Sequence, residues 1–331
     1  MLHIMDGSSS ASTLAKTDVQ GEIFAWREAL ISGPTPAGLN QDEWVAVRSE
    51  YLSSDYGIDL QKCRSDLEDQ SQILSSYSDH DEVVLWFEHD LFCQTNLLYL
   101  LNWFSQRQLG NTMLSLICID EFPDIHDFRG LGQLNPAQLA SLLDQRREIT
   151  AHQLELGHEA WNAYCSADPS SLMRLLHKDV SALPFLKKAL EAHLERFPSS
   201  RNGLGQIENA GLQLIADGYQ KFGDLFPRFA SEQRVYGLGD FQLWLDLKGL
   251  SNVRNPLLEF ANGASAGPLP EEVVRTHFQI TENGQRVLQN HADFIELNGI
   301  DRWLGGVHLS AERDLWRWDS ENRQLLHQSL N

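Results

Sequence analysis

The chain has 331 residues, of which 26 are Lys or Arg and 46 are Asp or Glu, so its formal net charge is −20. An acidic chain repels phosphate backbones, so strong nucleic-acid binding is not expected. The four cysteines form no C-x-x-C pair, no Lys or Arg precedes Lys16, and no apolar run approaches the roughly 20 residues of a membrane span. We therefore expect a cytoplasmic protein without a zinc ribbon, a signal peptide or a membrane segment.

The chain up to Phe122 alternates between strand and helix patterns. Short apolar runs predict strands over residues 2–5, 22–26, 83–87 and 113–119, and helical spacing predicts helices over 13–17, 44–51, 60–77 and 91–108. A serine of the loop at 8–12 is the expected N-cap of the first helix. Strands that alternate with helices predict a mainly parallel sheet. We therefore expect a Rossmann-like α/β domain over residues 1–122.

Beyond Pro123 the pattern becomes helical. Asn135-Pro136 predicts the start of a helix that runs toward Gly157, and Phe241 to Leu250 predicts another helix. A strand pattern at 276–280 is followed by a predicted turn at 281–284 that leads into a second strand. Helices followed by a two-stranded ribbon are the order of a winged helix. We expect a helical connector over 123–180 and a winged-helix-like domain over 181–331.

Charged side chains follow each predicted parallel strand. The carboxyl ends of parallel strands lie along one edge, where α/β proteins bind ligands. The residues at these ends are Asp6, Arg27, Glu28, Glu88, His89, Asp90, Asp120 and Glu121. Because clustered carboxylates repel one another, the edge predicts either Mg²⁺ or Mn²⁺ held by Glu88, Asp90 and Asp120, or proton transfer by a carboxyl and His89. The alternative is an edge that is merely polar, as is common in α/β proteins.

The loop after the first strand offers a second element. Asp6-Gly7-Ser8 precedes a helix whose free backbone N–H groups attract anions, and Gly7 lets a ligand approach closely. The loop lacks the Lys of a P-loop and the spaced glycines of a dinucleotide-binding motif, so an ordinary helix cap is the plainer explanation. Ser8 as a nucleophile with His89 as its base is a further alternative, which no G-x-S-x-G motif supports.

Several motifs within residues 1–125 occur together in order. They are Leu2-His3-Ile4 with Asp6-Gly7-Ser8, then Trp26-Arg27-Glu28, then Arg48-x-x-Tyr51-Leu52, and finally the segment from Leu85 to Gln94. In these motifs the chain resembles the bacterial family catalogued as domain of unknown function 1835, and its later helices and the 299–306 segment resemble the C-terminal parts that accompany it. That family has no established activity. The resemblance implies a common architecture and points to His3, Arg27, Glu28, Glu88, His89, Asp90 and Gln94 as site residues.

These observations favour an enzyme that acts on a phosphorylated or nucleotide-like small molecule at the sheet edge. In this hypothesis Glu88 and Asp90 hold a metal, Arg27 holds the anion and His89 transfers a proton. The remaining ligand-binding residues would be His3, Asp6, Gly7, Ser8, Glu28 and Gln94. The alternative is a non-catalytic regulator whose α/β domain senses a ligand and whose winged helix binds a protein. DNA is the less favoured partner there, because residues 241–250 carry only Lys248 as a base.

Overall fold

A five-stranded sheet organises the N-terminal part of the chain. The computed structural model describes residues 1–261, 270–310, 313 and 315–329. The strands are β1 (Leu2–Asp6), β2 (Glu22–Trp26), β3 (Glu82–Glu88), β4 (Met113–Ile119) and β5 (Arg147–Glu148), in the order β2-β1-β3-β4-β5. The first four strands run parallel and β5 is antiparallel to β4. The prediction of an α/β fold with a mostly parallel sheet is therefore confirmed.

The register of the strands places the candidate residues at one edge. Asp6 pairs with Trp26, and Glu88 pairs with Ile119. Residues 83–87 are completely buried, as expected for a strand that is covered on both faces. The carboxyl ends of all four parallel strands consequently lie side by side. The prediction that Asp6 and Glu88 lie at the same end of the sheet is confirmed.

Helices pack on both faces of this sheet. They are α1 (Ser8–Leu14), α2 (Gln41–Tyr56), α3 (Leu60–Ser75), α4 (Leu91–Ser105) and α5 (Pro136–Ser141). The predicted bounds of α1 and its serine cap are wrong, because the helix begins at Ser8 with Gly7 in the N-cap position. The buried side chains of Ser10, Ala11 and Leu14 explain the difference. Packing against the sheet outweighs the modest helix propensity of the serine run.

A helical region follows β5. Its helices are α6 (Ala151–Tyr164), α7 (Ser170–Leu176), α8 (Leu186–Leu194), α9 (Gln206–Ala216), α10 (Phe222–Glu232) and α11 (Asp240–Ser251). The prediction of one helix from Asn135 toward Gly157 is wrong, since α5 ends early and β5 joins the sheet before α6 begins. Thr150 starts α6 by forming a capping box with Gln153. The sequence therefore contains two helix starts where one was predicted.

The C-terminal region contains short strands and helices. They are β6 (Leu258–Phe260), α12 (Pro270–Arg275), β7 (Phe278–Ile280), α13 (Glu282–Leu288), α14 (Phe294–Asn298), β8 (Asp301–Leu304), β9 (Val307–Ser310), β10 (Leu315–Asp319) and β11 (Gln324–Gln328). The predicted turn at 281–284 is wrong, because Thr281 caps α13 and β7 pairs instead with the preceding β6. Within the described residues, no helix is both long and apolar enough to cross a bilayer.

Candidate functional site

Three carboxyl groups and a thiol converge at the carboxyl edge of the sheet. Asp6 ends β1, Glu88 ends β3, and Asp90 is the N-cap of α4. The side chain of Asp90 accepts a hydrogen bond from the backbone N–H of Cys93 at 2.9 Å, which is the usual geometry of an aspartate cap. This cap brings the Cys93 thiol beside the carboxyls. The nearest ligand atoms of Glu88, Asp90 and Cys93 all lie within 4.8 Å of one another.

Each carboxyl group has one oxygen fixed by a protein N–H group. Asp90 Oδ1 is held by the N–H of Cys93, Glu88 Oε1 accepts from the N–H of Leu131 at 2.6 Å, and Asp6 Oδ1 accepts from Asn96 Nδ2 at 3.0 Å. The second oxygen of Asp6 is buried without a hydrogen-bond partner. Within the described part of the chain, none of these three carboxyls has Lys, Arg or His within 4 Å. The cluster therefore concentrates potential negative charge that no direct ion pair offsets among the described residues.

Burial shifts the ionisation of all four groups in the same direction. It raises the pKa of Asp6 to about 7. Burial, together with the neighbouring Asp90, raises the pKa of Glu88 well above its usual range. Burial also raises the pKa of Asp90 and that of the Cys93 thiol. Without a bound cation, the cluster therefore holds protons near neutral pH that ordinary carboxyls would have lost.

The cluster forms the floor of a cleft with a volume of about 370 Å³. One wall comes from the sheet edge, and the opposite wall comes from α10 and the segment that follows it. The apolar lining includes Phe92, Phe226, Phe229 and Leu238. Arg129 and Arg234 line the same cleft, and both are about half exposed. Each of the two arginines forms an ion pair with Asp127, at 2.6 and 3.0 Å respectively.

Glycine backbone lies directly against two of the carboxyl groups. Gly237 has φ 63°, in the left-handed region, and a Cβ built on it would overlap the carboxylate of Asp90. A Cβ on Gly130 would likewise overlap the carboxylate of Glu88. A side chain at either position would displace a carboxyl group of the cluster. The cleft therefore needs glycine at both positions.

We expect Gly237→Ala to destabilise the protein by about 2–4 kcal/mol, since it adds a steric overlap with Asp90 to the cost of a left-handed alanine. Gly57→Ala is the matched control, because Gly57 has φ 67° with open space around its Cβ position. The control should lose only about 1–2 kcal/mol. Urea denaturation of the two variants measures the difference. Equal losses would show that Gly237 does not fix Asp90.

The structure places the other predicted residues of the β3–α4 segment around the cluster. Gln94 Nε2 donates to the backbone carbonyl of Glu88 at 2.7 Å, so it holds the end of β3 without lining the cleft. The ring of His89 lies against Phe185, with 6.1 Å between ring centroids, and its buried Nδ1 has no partner. His89 is not part of the cleft lining. The imidazole therefore lies outside the cleft but close to Asp90, where burial raises the pKa of the carboxyl and the charge of His89 lowers it.

Residues of β1 and β2 that were predicted for the same site lie elsewhere. Arg27 and Ser8 line a separate cavity together with Asp66 and Asp69. Gly7 does line the cleft. Glu28 forms a buried ion pair with Arg48, and His3 accepts a hydrogen bond from Trp86 Nε1 at 3.2 Å in the interior. The sheet edge thus divides the predicted residues between two cavities and the core.

Asp120 does not join the predicted metal ligands. It follows β4 at the same edge, but its side chain is exposed and lies outside the cluster. Cys93 occupies the third position beside Glu88 and Asp90 instead. Sequence reasoning missed Cys93, although its place in the first turn after an aspartate cap was a usable signal. Arg234 and Gly237 carried no such signal, because they reach the site from a distant part of the chain.

The helix predicted to face a partner is largely covered. Within residues 241–250 of α11, only Gly249 is exposed. Tyr56 of α2 contacts this helix, since its ring packs against Phe241 and its hydroxyl accepts from Gln242 Nε2 at 3.3 Å. Lys248, the base noted in the sequence, lies over the ring of Trp244. This helix therefore presents no basic face for nucleic acid.

Comparisons with known proteins do not indicate a function for this chain, so a functional assignment depends on the geometry of the site. No family model matches the chain. No curated protein matches it either. The resemblance to domain of unknown function 1835 accordingly remains a proposal that rests on the sequence motifs quoted above.

Proposed function

We propose that the protein is an enzyme that acts on a phosphorylated or nucleotide-like small molecule in the cleft between the sheet edge and α10. The observation that carries this proposal is the convergence of Asp6, Glu88 and Asp90 on the floor of a cleft that also has two arginines. Buried carboxyls without a compensating charge are costly to keep, and such groups are characteristic of functional sites.

The cleft suits an anionic ligand with an apolar part. Arg129 and Arg234 provide guanidinium groups that bind phosphate oxygens in bidentate fashion. Both already contact the exposed carboxylate of Asp127. A ligand phosphate would take the place of this carboxylate. The aromatic rings of Phe92, Phe226 and Phe229 supply surfaces against which a base or another flat group can pack.

The favoured chemistry is hydrolysis of the phosphate ester. A water oxygen attacks phosphorus and a carboxylate of the cluster accepts a proton from the water. The bond between phosphorus and the ester oxygen breaks, and a protonated carboxyl group of the cluster gives its proton to the departing oxygen. The arginines offset the charge on the phosphate oxygens during this step. His89 has no role in this scheme, because its ring lies outside the cleft lining.

Phosphate release from a panel of nucleotides and sugar phosphates, with Mg²⁺, Mn²⁺ or Zn²⁺ added, tests the proposal. We expect at least one compound to be hydrolysed, and Glu88→Gln to reduce kcat by about 100-fold or more. Arg234→Met should raise KM more than it lowers kcat. Arg27→Met is the control, since Arg27 lines the other cavity. Loss of activity in Arg27→Met with retention in Arg234→Met would move the site to that cavity.

Ligand sensing without catalysis is the second candidate function. It is favoured by the position of the cleft, whose walls come from both the sheet and the helical region, so that a bound ligand would join the two. In this case the same compounds would raise Tm without being converted. A protein partner that binds only with the ligand present would then support the regulator. Conversion of the ligand in the same assay would support the enzyme.

A further inference from the structure

We propose that the floor of the cleft binds a thiolate-accepting divalent cation, with Zn²⁺ as the representative, through Glu88, Asp90 and Cys93, with the carboxyl group of Asp6 beside the ion and the fourth position open to water or substrate. The inference deepens the proposed function by assigning the cation at the same site. It replaces the oxygen-only set of Glu88, Asp90 and Asp120 that the sequence predicted.

The donor atoms of Glu88, Asp90 and Cys93 have the spacing that binding to a single ion requires. The ligand atoms of Glu88, Asp90 and Cys93 are all within 4.8 Å of one another, so a single ion can contact all three after small side-chain movements. The thiol of Cys93 lies within hydrogen-bonding reach of both Glu88 and Asp90. Each carboxyl uses one oxygen to accept from a protein N–H group. Metal-binding carboxylates are typically held in this way by outer hydrogen bonds.

A second, independent observation points to a missing cation. Asp6 lines the cleft, is 8% exposed, and its Oδ2 is buried without a donor. Asn96, whose amide nitrogen holds the other oxygen of Asp6, is fully buried and has an Oδ1 that also lacks a donor. Two neighbouring buried acceptors without donors are uncommon in folded proteins. A cation held by Glu88, Asp90 and Cys93 would lie next to this carboxyl group and offset its negative charge.

The thiol decides the class of the cation. Mg²⁺ prefers six oxygen ligands, several of them water, and it does not select sulfur. Zn²⁺ binds sulfur and carboxylate oxygen together in tetrahedral sites, with distances of about 2.3 and 2.0–2.2 Å. Asp120, which would have completed an oxygen-only set, lies outside the cluster. When the ion binds, the sulfur of Cys93 forms a bond to it and the thiol proton is released to solvent.

Cobalt substitution tests the assignment without reference to turnover. Co²⁺ bound by a thiolate gives an intense charge-transfer absorption in the near ultraviolet, whereas Co²⁺ bound only by oxygen does not. We expect the 331-residue chain to bind one Co²⁺ with this band. Cys93→Ser should lose the band and weaken Zn²⁺ binding by about 10-fold or more in equilibrium dialysis. Circular dichroism confirms that the variant is folded.

Cys118→Ser is the matched control. Cys118 is a free cysteine at the same edge of the sheet, and its sulfur lies 3.4 Å from Gln94 Nε2. The Cys118→Ser variant should retain both the charge-transfer band of bound Co²⁺ and the affinity for Zn²⁺. A band that persists in Cys93→Ser, cobalt binding without the band, or no cobalt binding would each overturn the cation assignment. The cobalt band is measured independently of phosphate release. If the band is absent, the cation assignment is wrong but the enzyme proposal still stands or falls on the phosphate-release assay. If the band is present and no compound is hydrolysed, the metal site is supported and the enzyme proposal is not.

Discussion

Replacing Asp6 with Asn should stabilise the cation-free protein at pH 8 by about 2–4 kcal/mol. Burial raises the pKa of Asp6 to about 7 in the folded state, against an ordinary value of 3.8. The folded protein therefore holds a proton between these two pH values that the unfolded chain has lost. Stability must fall as the pH rises from about 4 to about 7, at up to roughly 1.4 kcal/mol per pH unit, and remain low above that range.

Urea denaturation in the presence of a chelator, at several pH values from 5 to 8, measures this effect. The wild-type protein should lose stability across the range, and Asp6→Asn should lose less. Burial raises the pKa of Asp246 to about 7 as well, so its contribution is common to both proteins and cancels in the difference. Asp120→Asn, at an exposed position of the same edge, should have the same free energy of unfolding as wild type at each pH. An Asp6→Asn variant that is less stable than wild type at pH 8 would show that the ionised Asp6 carboxylate does not destabilise the folded protein, contrary to this prediction.

Glu28→Gln should produce the second large effect, a loss of about 3–5 kcal/mol in the free energy of unfolding. The guanidinium of Arg48 contacts both carboxylate oxygens of Glu28, at 2.9 and 2.7 Å, and also the carbonyl of Ser32 at 2.8 Å. The side chains of Arg48 and Glu28 are 0% and 1% exposed. Removal of the carboxylate charge therefore leaves a buried cation that water cannot reach.

Two comparisons make this prediction specific to burial. The exposed pair of Lys62 and Asp66 provides the control, since Asp66→Asn should cost less than about 1 kcal/mol. The double variant Glu28→Leu with Arg48→Met should recover much of the lost stability, because neither charge is then left buried. If Glu28→Gln is fully stable yet loses ligand binding, Glu28 belongs to a ligand site, as the sequence motifs suggested.

The sheet could be predicted from sequence because its signals are local. Residues 83–87 form a continuous apolar run, residues 113–119 are apolar except for Ser115, and such short stretches bounded by turn residues predict buried strands. The start of α1 could not be predicted in this way, because serines acquire their helical conformation there by packing on the sheet. The same limit explains the error after Asn135, where β5 is defined by its pairing with β4.

In the candidate site, too, the residues placed by local sequence patterns could be predicted, and those placed by tertiary packing could not. Asp6, Glu88 and Asp90 could be predicted, because parallel topology alone brings strand ends together. Glu28 follows a strand end too, but its partner Arg48 comes from α2, and this pairing is not visible in a local pattern. The far wall of the cleft, with Arg234, depends on how the helical region packs against the sheet.

The most direct test of the account is an anomalous difference map from crystals of the wild-type protein grown with Zn²⁺, recorded on both sides of the zinc absorption edge. We expect one strong peak on the floor of the cleft, about 2.3 Å from Cys93 Sγ and about 2.0–2.2 Å from oxygens of Glu88 and Asp90. A map with an empty cleft, or with zinc bound only at exposed side chains such as Asp120, would contradict it.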